Sequence, residues 1–373
     1  MRIAIVLGTR PEIIKFSPIM RICDHKKIDY FVVHTGQHYD FNMDKIFFDE
    51  LDLKPAMINL DVGSGSHAET TSRIILGVEK ILIEKKPDVV LVQGDTNTVL
   101  AASLVSTKLH IPLGHVEAGL RSYDRRMPEE YNRIICDHIS DYLFAPTVLA
   151  KKNLYEEGIA KNSLLYYDGV KTPEILMTGN TIVDAIQQNI ERSNESYIFS
   201  KLGVVKGNYF LVTAHREENV DDRTRLEGII NGLQKVSNHY NIPIVYPIHP
   251  RTKKRIEEFG LIKKLSMISK LHIIDPVGVF DLLALEANAK LVLTDSGGIQ
   301  EETCSLKVPC VVLRDRSDRS ESLEVGASVL AGSDPDKILS CVGLMLSRPR
   351  NWKNPFGDGK AAEKIIGHIL KNA

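Results

Sequence analysis

Short apolar runs that do not alternate with polar residues recur along the chain, and most are followed by a stretch with helical spacing. The first series is Ile3–Leu7, Tyr30–His34, Val89–Gln93, Pro112–Val116, Tyr142–Ala145 and Glu174–Met177. Between them, Glu12–Lys26, Ala68–Lys85 and Thr96–Leu109 repeat apolar positions three and four apart, which predicts helices. Strands that are apolar throughout are covered on both faces, and their alternation with helices predicts a parallel sheet. A second series follows: Tyr209–Thr213, Ile244–Ile248, Leu271–Ile274, Leu291–Thr294 and Cys310–Leu313, with helices over Arg225–Val236, Val279–Ala289 and Gly298–Leu306. The turn-forming pair Gly179-Asn180 separates the two series. A Gly- and Pro-rich junction, Pro355 to Gly359, precedes a last helix over Gly359–Leu370. The expected fold is α/β, with two similar domains, each built on a parallel sheet, facing a cleft between their strand carboxyl ends. The first covers residues 1–178 completed by the helix 358–373, and the second covers 179–357.

Composition narrows the function classes. A chain of 373 residues exceeds the size at which one core keeps growing, which agrees with two domains. A net charge of -1 gives no general attraction to nucleic acid or a membrane, so an anionic ligand needs a local group of cations. The apolar run Ile3–Leu7 is too short for a signal peptide, and no later run approaches bilayer-spanning length. Cys23, Cys136, Cys304, Cys310 and Cys341 are scattered, without a Cys-x-x-Cys pair. That pattern argues against a disulfide framework or a zinc site and for a reduced cytoplasm.

Chemistry concentrates where apolar strands stop. Val89–Val92 ends in Gln93-Gly94-Asp95-Thr96, and Ile111–Val116 ends in Glu117-Ala118-Gly119-Leu120-Arg121. Pro128-Glu129-Glu130 then opens a helix carrying Arg133. In open parallel sheets ligands bind outside the carboxyl ends of the strands. Each acid also has a plainer explanation: Asp95 as an N-cap, and Glu129 or Glu130 as a first-turn acid favoured by the helix dipole. Their convergence on one sheet edge is what favours a site. Gly8-Thr9-Arg10-Pro11-Glu12, with Lys15 a turn later, places two cations at a helix start, a setting that attracts anions. It is not a G-x-G-x-x-G fingerprint and lends little support to a nicotinamide cofactor. In the second half, Asp295-Ser296-Gly297-Gly298 opens a helix whose free N–H groups suit a phosphate, and Glu302 one turn on suits sugar hydroxyls. His215-Arg216-Glu217 ends another strand, while His249, between Pro247 and Pro250, reads as a turn residue. Most of the charge in Arg314–Arg319 is expected to be solvated, with one arginine reaching a diphosphate.

At these residues the chain closely resembles the non-hydrolysing UDP-N-acetylglucosamine 2-epimerase family over nearly its whole length. The resemblance is carried by Gly8 to Glu12, Gly94-Asp95-Thr96, His115 to Arg121, Pro128-Glu129-Glu130, Asn132-Arg133, Gly179-Asn180-Thr181, His215-Arg216-Glu217 and Asp295 to Glu302. It implies a glycosyltransferase-B-like pair of Rossmann-type domains and a cytoplasmic homodimer without metal or nicotinamide cofactor. It further implies interconversion of UDP-GlcNAc and UDP-ManNAc through elimination of UDP to 2-acetamidoglucal and re-addition. By position, Asp95, Glu117 and Glu129 are the catalytic carboxylates, with acid and base roles open. Arg10, Lys15, His215, Ser296, Gly297, Gly298 and Arg319 match UDP-binding positions, His215 also standing where it can assist the leaving group. Glu302 matches the ribose ligand and Arg133 a sugar-site arginine.

Four departures from the family pattern bear on specificity. Val277 and Leu282 stand where many members have Gln and Phe near the uracil, so base contacts fall to backbone groups. Arg319 is followed by Ser320 where Pro is usual. Gln37-His38 is followed by Tyr39-Asp40-Phe41, not by the Arg of bacterial members, in a region that contacts a second, activating UDP-GlcNAc; this counts against such activation. The stretch from Thr35 to Phe48 is similar to a branch acting on UDP-2,3-diacetamido-2,3-dideoxyglucuronic acid. Alternatives to the non-hydrolysing epimerase are therefore that substrate, a hydrolysing epimerase releasing ManNAc and UDP, and a glycosyltransferase of the same fold.

Overall fold

A computed structural model describes residues 1–36, 47–53, 55–159 and 172–372. Gln37 to Phe41, which bear on activation, and most of the stretch from Thr35 to Phe48 lie outside the described residues. Among those described, the chain forms two compact units, Met1–Gln188 with Phe356–Ala373, and Asn189–Pro355.

The first unit contains β1 (Arg2–Leu7), β2 (Asp29–His34), β3 (Ala56–Asn59), β4 (Val89–Gln93), β5 (Leu113–Val116), β6 (Tyr142–Ala145) and β7 (Glu174–Met177). Their order across the sheet is β3-β2-β1-β4-β5-β6-β7, and each neighbouring pair is parallel. The order reverses direction between β1 and β4, the switch point at which open sheets of this kind bind ligands. Ala4, Val6, Val90, Val92 and Leu113 are fully buried under the helices His67–Lys85 and Asn97–Lys108, as continuous apolar strands require.

The second unit repeats the plan with β8 (Phe210–Thr213), β9 (Ile244–Pro247), β10 (Leu271–Ile274), β11 (Leu291–Thr294), β12 (Cys310–Val312) and β13 (Ser328–Leu330). Its order, β10-β9-β8-β11-β12-β13, is again parallel, with the switch point between β8 and β11. One face is covered by Arg223–Tyr240 and Pro335–Ser347, the other by Val279–Ala287 and Gly297–Ser305. No helix among the described residues is long and apolar enough to cross a membrane.

Where the expectation put a boundary at Gly179-Asn180, the compact units divide ten residues later, inside the helix Thr181–Ser193. Contacts at the start of that helix explain the shift. Asp184 accepts hydrogen bonds from the backbone N–H groups of Ala361 at 3.2 Å and Ala362 at 2.9 Å, and so caps the helix Ala361–Asn372. The Asn180 N–H donates to the Phe356 carbonyl at 2.8 Å. Gly179, at φ 93°, lets the two backbones approach: a Cβ there would stand 3.3 Å from the Phe356 oxygen. Asp184→Ala removes the partner of two N–H groups at a helix start. It is expected to lower unfolding free energy by about 1–2 kcal/mol in urea titrations, the scale of a lost cap.

Candidate active site

In the first unit the site grows from three strand ends at the switch point. After β1, the turn Gly8-Thr9 leads into the helix Arg10–Lys26 and is fixed by Glu12. The Glu12 carboxylate accepts from the N–H groups of Gly8 and Thr9, both at 2.7 Å, and from the Thr96 hydroxyl at 2.8 Å, tying the turns after β1 and β4 together. Burial pushes its carboxyl up to about 7 against the pull of these donors. One turn on, Lys15 Nζ donates to Glu117 Oε1 at 2.6 Å, and both side chains are under 10% exposed, at 8% and 4%. Gln93 at 3.4 Å and Asn180 at 3.3 Å also donate to the Glu117 carboxylate. Glu117 holds a left-handed backbone with φ 74°, costly for a residue with a Cβ and a feature that clusters at functional sites. Gly119, at φ 85°, closes the same turn where a Cβ would meet the Ala150 carbonyl at 2.2 Å. Asp95 is half-exposed, and Arg133 Nη2 donates to its Oδ2 at 2.5 Å.

Other acids at this edge have structural work. Glu130 is buried and accepts from the N–H groups of Ser122 at 3.0 Å and Tyr123 at 2.8 Å, with Arg133 at 3.2 Å. His115 donates through Nε2 to the Gly94 carbonyl at 2.8 Å and through Nδ1 to Asp137 at 2.7 Å. Two acceptors require both ring nitrogens to carry hydrogen, so this buried imidazole is cationic. The Asp137 carboxylate keeps it so, although burial opposes the charge. Arg121 is buried between Asp137 at 2.7 Å and Glu157 at 2.6 Å.

In the second unit His215 follows β8 and the turn Asp295-Ser296-Gly297-Gly298 follows β11. Asp295 is fully buried and accepts from the N–H groups of His215 and Arg216 at 3.0 Å and from Asn219 at 3.1 Å. It therefore fixes the loop that presents His215. The His215 ring is held below the usual imidazole range by the packing around it, Asp295 pulling the other way. It lies 5.7 Å from the His249 ring, which caps its own helix by accepting from the Arg251 N–H at 3.2 Å. Ser296 makes no side-chain cap bond in the helix Gly297–Ser305. A Cβ at Gly297 would stand 3.6 Å from the Arg319 guanidinium carbon, so this arginine underlies the turn.

The family model described as UDP-N-acetylglucosamine 2-epimerase matches residues 20–370. The chain belongs to the UDP-N-acetylglucosamine 2-epimerase family. It is 52% identical over 369 residues to the UDP-N-acetylglucosamine 2-epimerase of Methanocaldococcus jannaschii, covering 98% of each chain. It is 36% identical to the UDP-2,3-diacetamido-2,3-dideoxy-D-glucuronate 2-epimerase of Pseudomonas aeruginosa, covering all of both chains (100% and 100%). A crystal structure of the Methanocaldococcus jannaschii enzyme in complex with UDP-GlcNAc and UDP superposes with a TM-score of 0.91 at 51% identity, over 100% of each chain. An epimerase family makes the chain an isomerase, and its two parallel sheets share the glycosyltransferase-B-like fold of these neighbours.

Within this family frame, the residues expected from sequence fall into sets. Lys15 and Glu117 form one pair, Asp95 and Arg133 another. Glu129 is half-buried and makes no side-chain hydrogen bond or ion pair among the described residues, unlike its neighbour Glu130. Arg10 lies over the Phe47 ring at 5.1 Å. The plain reading of Asp95 as an N-cap is overturned, because Thr96 caps the helix Asn97–Lys108. The expectation of solvated charge in Arg314–Arg319 also needs correction. Arg314, Asp318 and Arg319 are buried, with Arg314 on Glu218 at 2.7 Å and Arg319 on Glu301 and on Asp318 at 2.9 Å. Val277 and Leu282 are half-buried, Val277 lining a cavity of about 540 Å³ with Ile248, Ile256 and Leu265. Sequence reasoning missed Gln93, Asn180, Asp137 and the service of Glu12. The T-x-x-E spacing of Thr9 and Glu12 is a capping-box signal that identifies the last. Lys15→Met leaves the Glu117 carboxylate without its ammonium partner and is expected to cost about 3–5 kcal/mol of stability. Adding Glu117→Gln should restore much of that loss in urea unfolding.

Proposed function

We propose that this chain interconverts UDP-GlcNAc and UDP-ManNAc by eliminating and re-adding UDP. The observation that carries the reading is the buried, strained Glu117 on Lys15 beside the Asp95–Arg133 pair, in a chain 52% identical to an enzyme of that name. The sugar C2–H is not next to a carbonyl, so its direct removal as a proton is very difficult. Breaking the C1–O bond solves this: UDP leaves with the electron pair, C2 gives up its proton to a carboxylate, and a C1–C2 double bond forms. Return of a proton to the opposite face of C2 and of the UDP oxygen to C1 gives the epimer. Asp95, Glu117 and Glu129 move the proton and steady the positive charge at C1, with Arg133 holding Asp95. His215 and the Ser296-Gly297-Gly298 turn hold the departing diphosphate, Arg10 and Lys15 add charge to it, and Glu302 takes the ribose. Arg319 acts from beneath the turn, through its position behind Gly297. A neutral His215 has an N–H to give the leaving oxygen without adding a second positive charge. The protein works as a cytoplasmic homodimer. The relative from Pseudomonas aeruginosa makes the diacetamido-uronate the second substrate to try.

Proton NMR of the enzyme with UDP-GlcNAc is expected to show UDP-ManNAc accumulating to equilibrium. Asp95→Asn, Glu117→Gln and Glu129→Gln should each lower turnover roughly a hundredfold or more, the scale of general acid–base contributions. No UDP-ManNAc from the unaltered chain would exclude this substrate. Near-normal turnover in one variant would remove that residue from the proton path.

A further inference from the structure

Glu286 lies in the helix Val279–Ala287 with no exposed surface, and neither of its carboxyl oxygens meets a hydrogen-bond donor among the described residues. The titratable groups that face it are Tyr209, Cys310 and Glu302, and all three are acids. Tyr209 commits its hydroxyl to the Leu285 carbonyl. Burial pushes the Cys310 thiol up to about 12, so it remains a thiol. An ionised carboxylate in that environment has no cation and no donor to replace water, a strongly penalised state. A protonated one has a hydrogen to give. The acceptor beside it is the carboxylate of Glu302, half-buried in the neighbouring helix Gly297–Ser305.

We propose that Glu286 is a positioning residue, a buried carboxylic acid whose O–H donates to Glu302 and aims that carboxylate at the ribose hydroxyls of UDP. The inference rests on the reading of Glu302 as the ribose ligand. Burial and the charge of Glu302 both hold the Glu286 carboxyl well above the usual carboxylate range. The bond leaves one Glu302 oxygen for the ligand and fixes the rotamer before the ligand arrives, so less ordering is needed on binding. Glu286 touches no substrate atom. Its contribution is to affinity and to discrimination between ribose and its deoxy forms.

The test is calorimetric titration of the full chain with UDP, 2′-deoxy-UDP and 3′-deoxy-UDP. The unaltered chain should prefer UDP to at least one deoxy analogue. Glu286→Leu should bind UDP about tenfold more weakly, the scale of a hydrogen bond to a charged group, while the disfavoured analogue changes little. Melting should be no lower than in the unaltered chain, because an apolar side chain of similar volume replaces an acid without partners. Glu286→Met serves the same comparison if Leu does not pack. Glu286→Gln retains a donor and should restore the preference for UDP, a rescue that a purely packing role would not give. Glu302→Gln should abolish the preference. If Glu302→Gln abolishes it and Glu286→Leu keeps it, the positioning role is overturned alone. If Glu302→Gln keeps it, the ribose reading is overturned.

Discussion

A carboxylate held under cover at a left-handed backbone position is the constraint around which the first unit is arranged. Glu117 at φ 74° combines two unfavourable conditions, strain in the backbone and a charge out of water. The charge is met locally. Lys15 brings the opposite charge to 2.6 Å, and Gln93 and Asn180 bring amide donors. The strand order makes that possible: β1, β4 and β5 are adjacent, so the helix after β1 and the turn after β5 converge over β4. A site with this much opposing charge needs rigid supports, and the His115–Asp137 pair supplies one by gripping the Gly94 carbonyl on one side and the Gly119 N–H on the other.

The acids of the chain divide by what satisfies them. Glu130, Asp137 and Asp295 accept from several backbone or side-chain donors and hold loops in place. Asp95 and Glu129 keep exposure, and Asp95 has an arginine on one oxygen. Asp95 and Glu129 keep oxygen lone pairs open to a proton in transit. In the second unit the same logic separates Arg319, committed to Glu301 and Asp318, from His215, whose ring is held neutral beside a fixed loop.

Most strands were legible because a strand covered on both faces has to be apolar throughout, and Val89–Gln93 or Leu291–Thr294 cannot be read otherwise. β3 and β13, edge strands of four and three residues, went unread, while β7 and β10, edge strands of four residues each, were legible. Asp95 and Glu117 were visible because a charge that ends a buried strand is conspicuous. Their supports were not, since the partners are remote: 102 residues separate Lys15 from Glu117, 22 separate His115 from Asp137, and 80 separate His215 from Asp295. Arg319 was read as a ligand cation for the same reason, because a sequence shows the cation without the carboxylates that absorb it. The resemblance carried the substrate class; the residues themselves carried the kind of chemistry.

The central claim is that carboxylates of this chain exchange the hydrogen at the sugar C2 with solvent while inverting that carbon. It is tested most directly with UDP-GlcNAc carrying deuterium at C2, turned over in ordinary water, with the product read by NMR. The account predicts UDP-ManNAc bearing protium at C2, because the deuteron leaves on a carboxylate and the returning proton comes from the opposite face. UDP-ManNAc that retains its deuterium would contradict it.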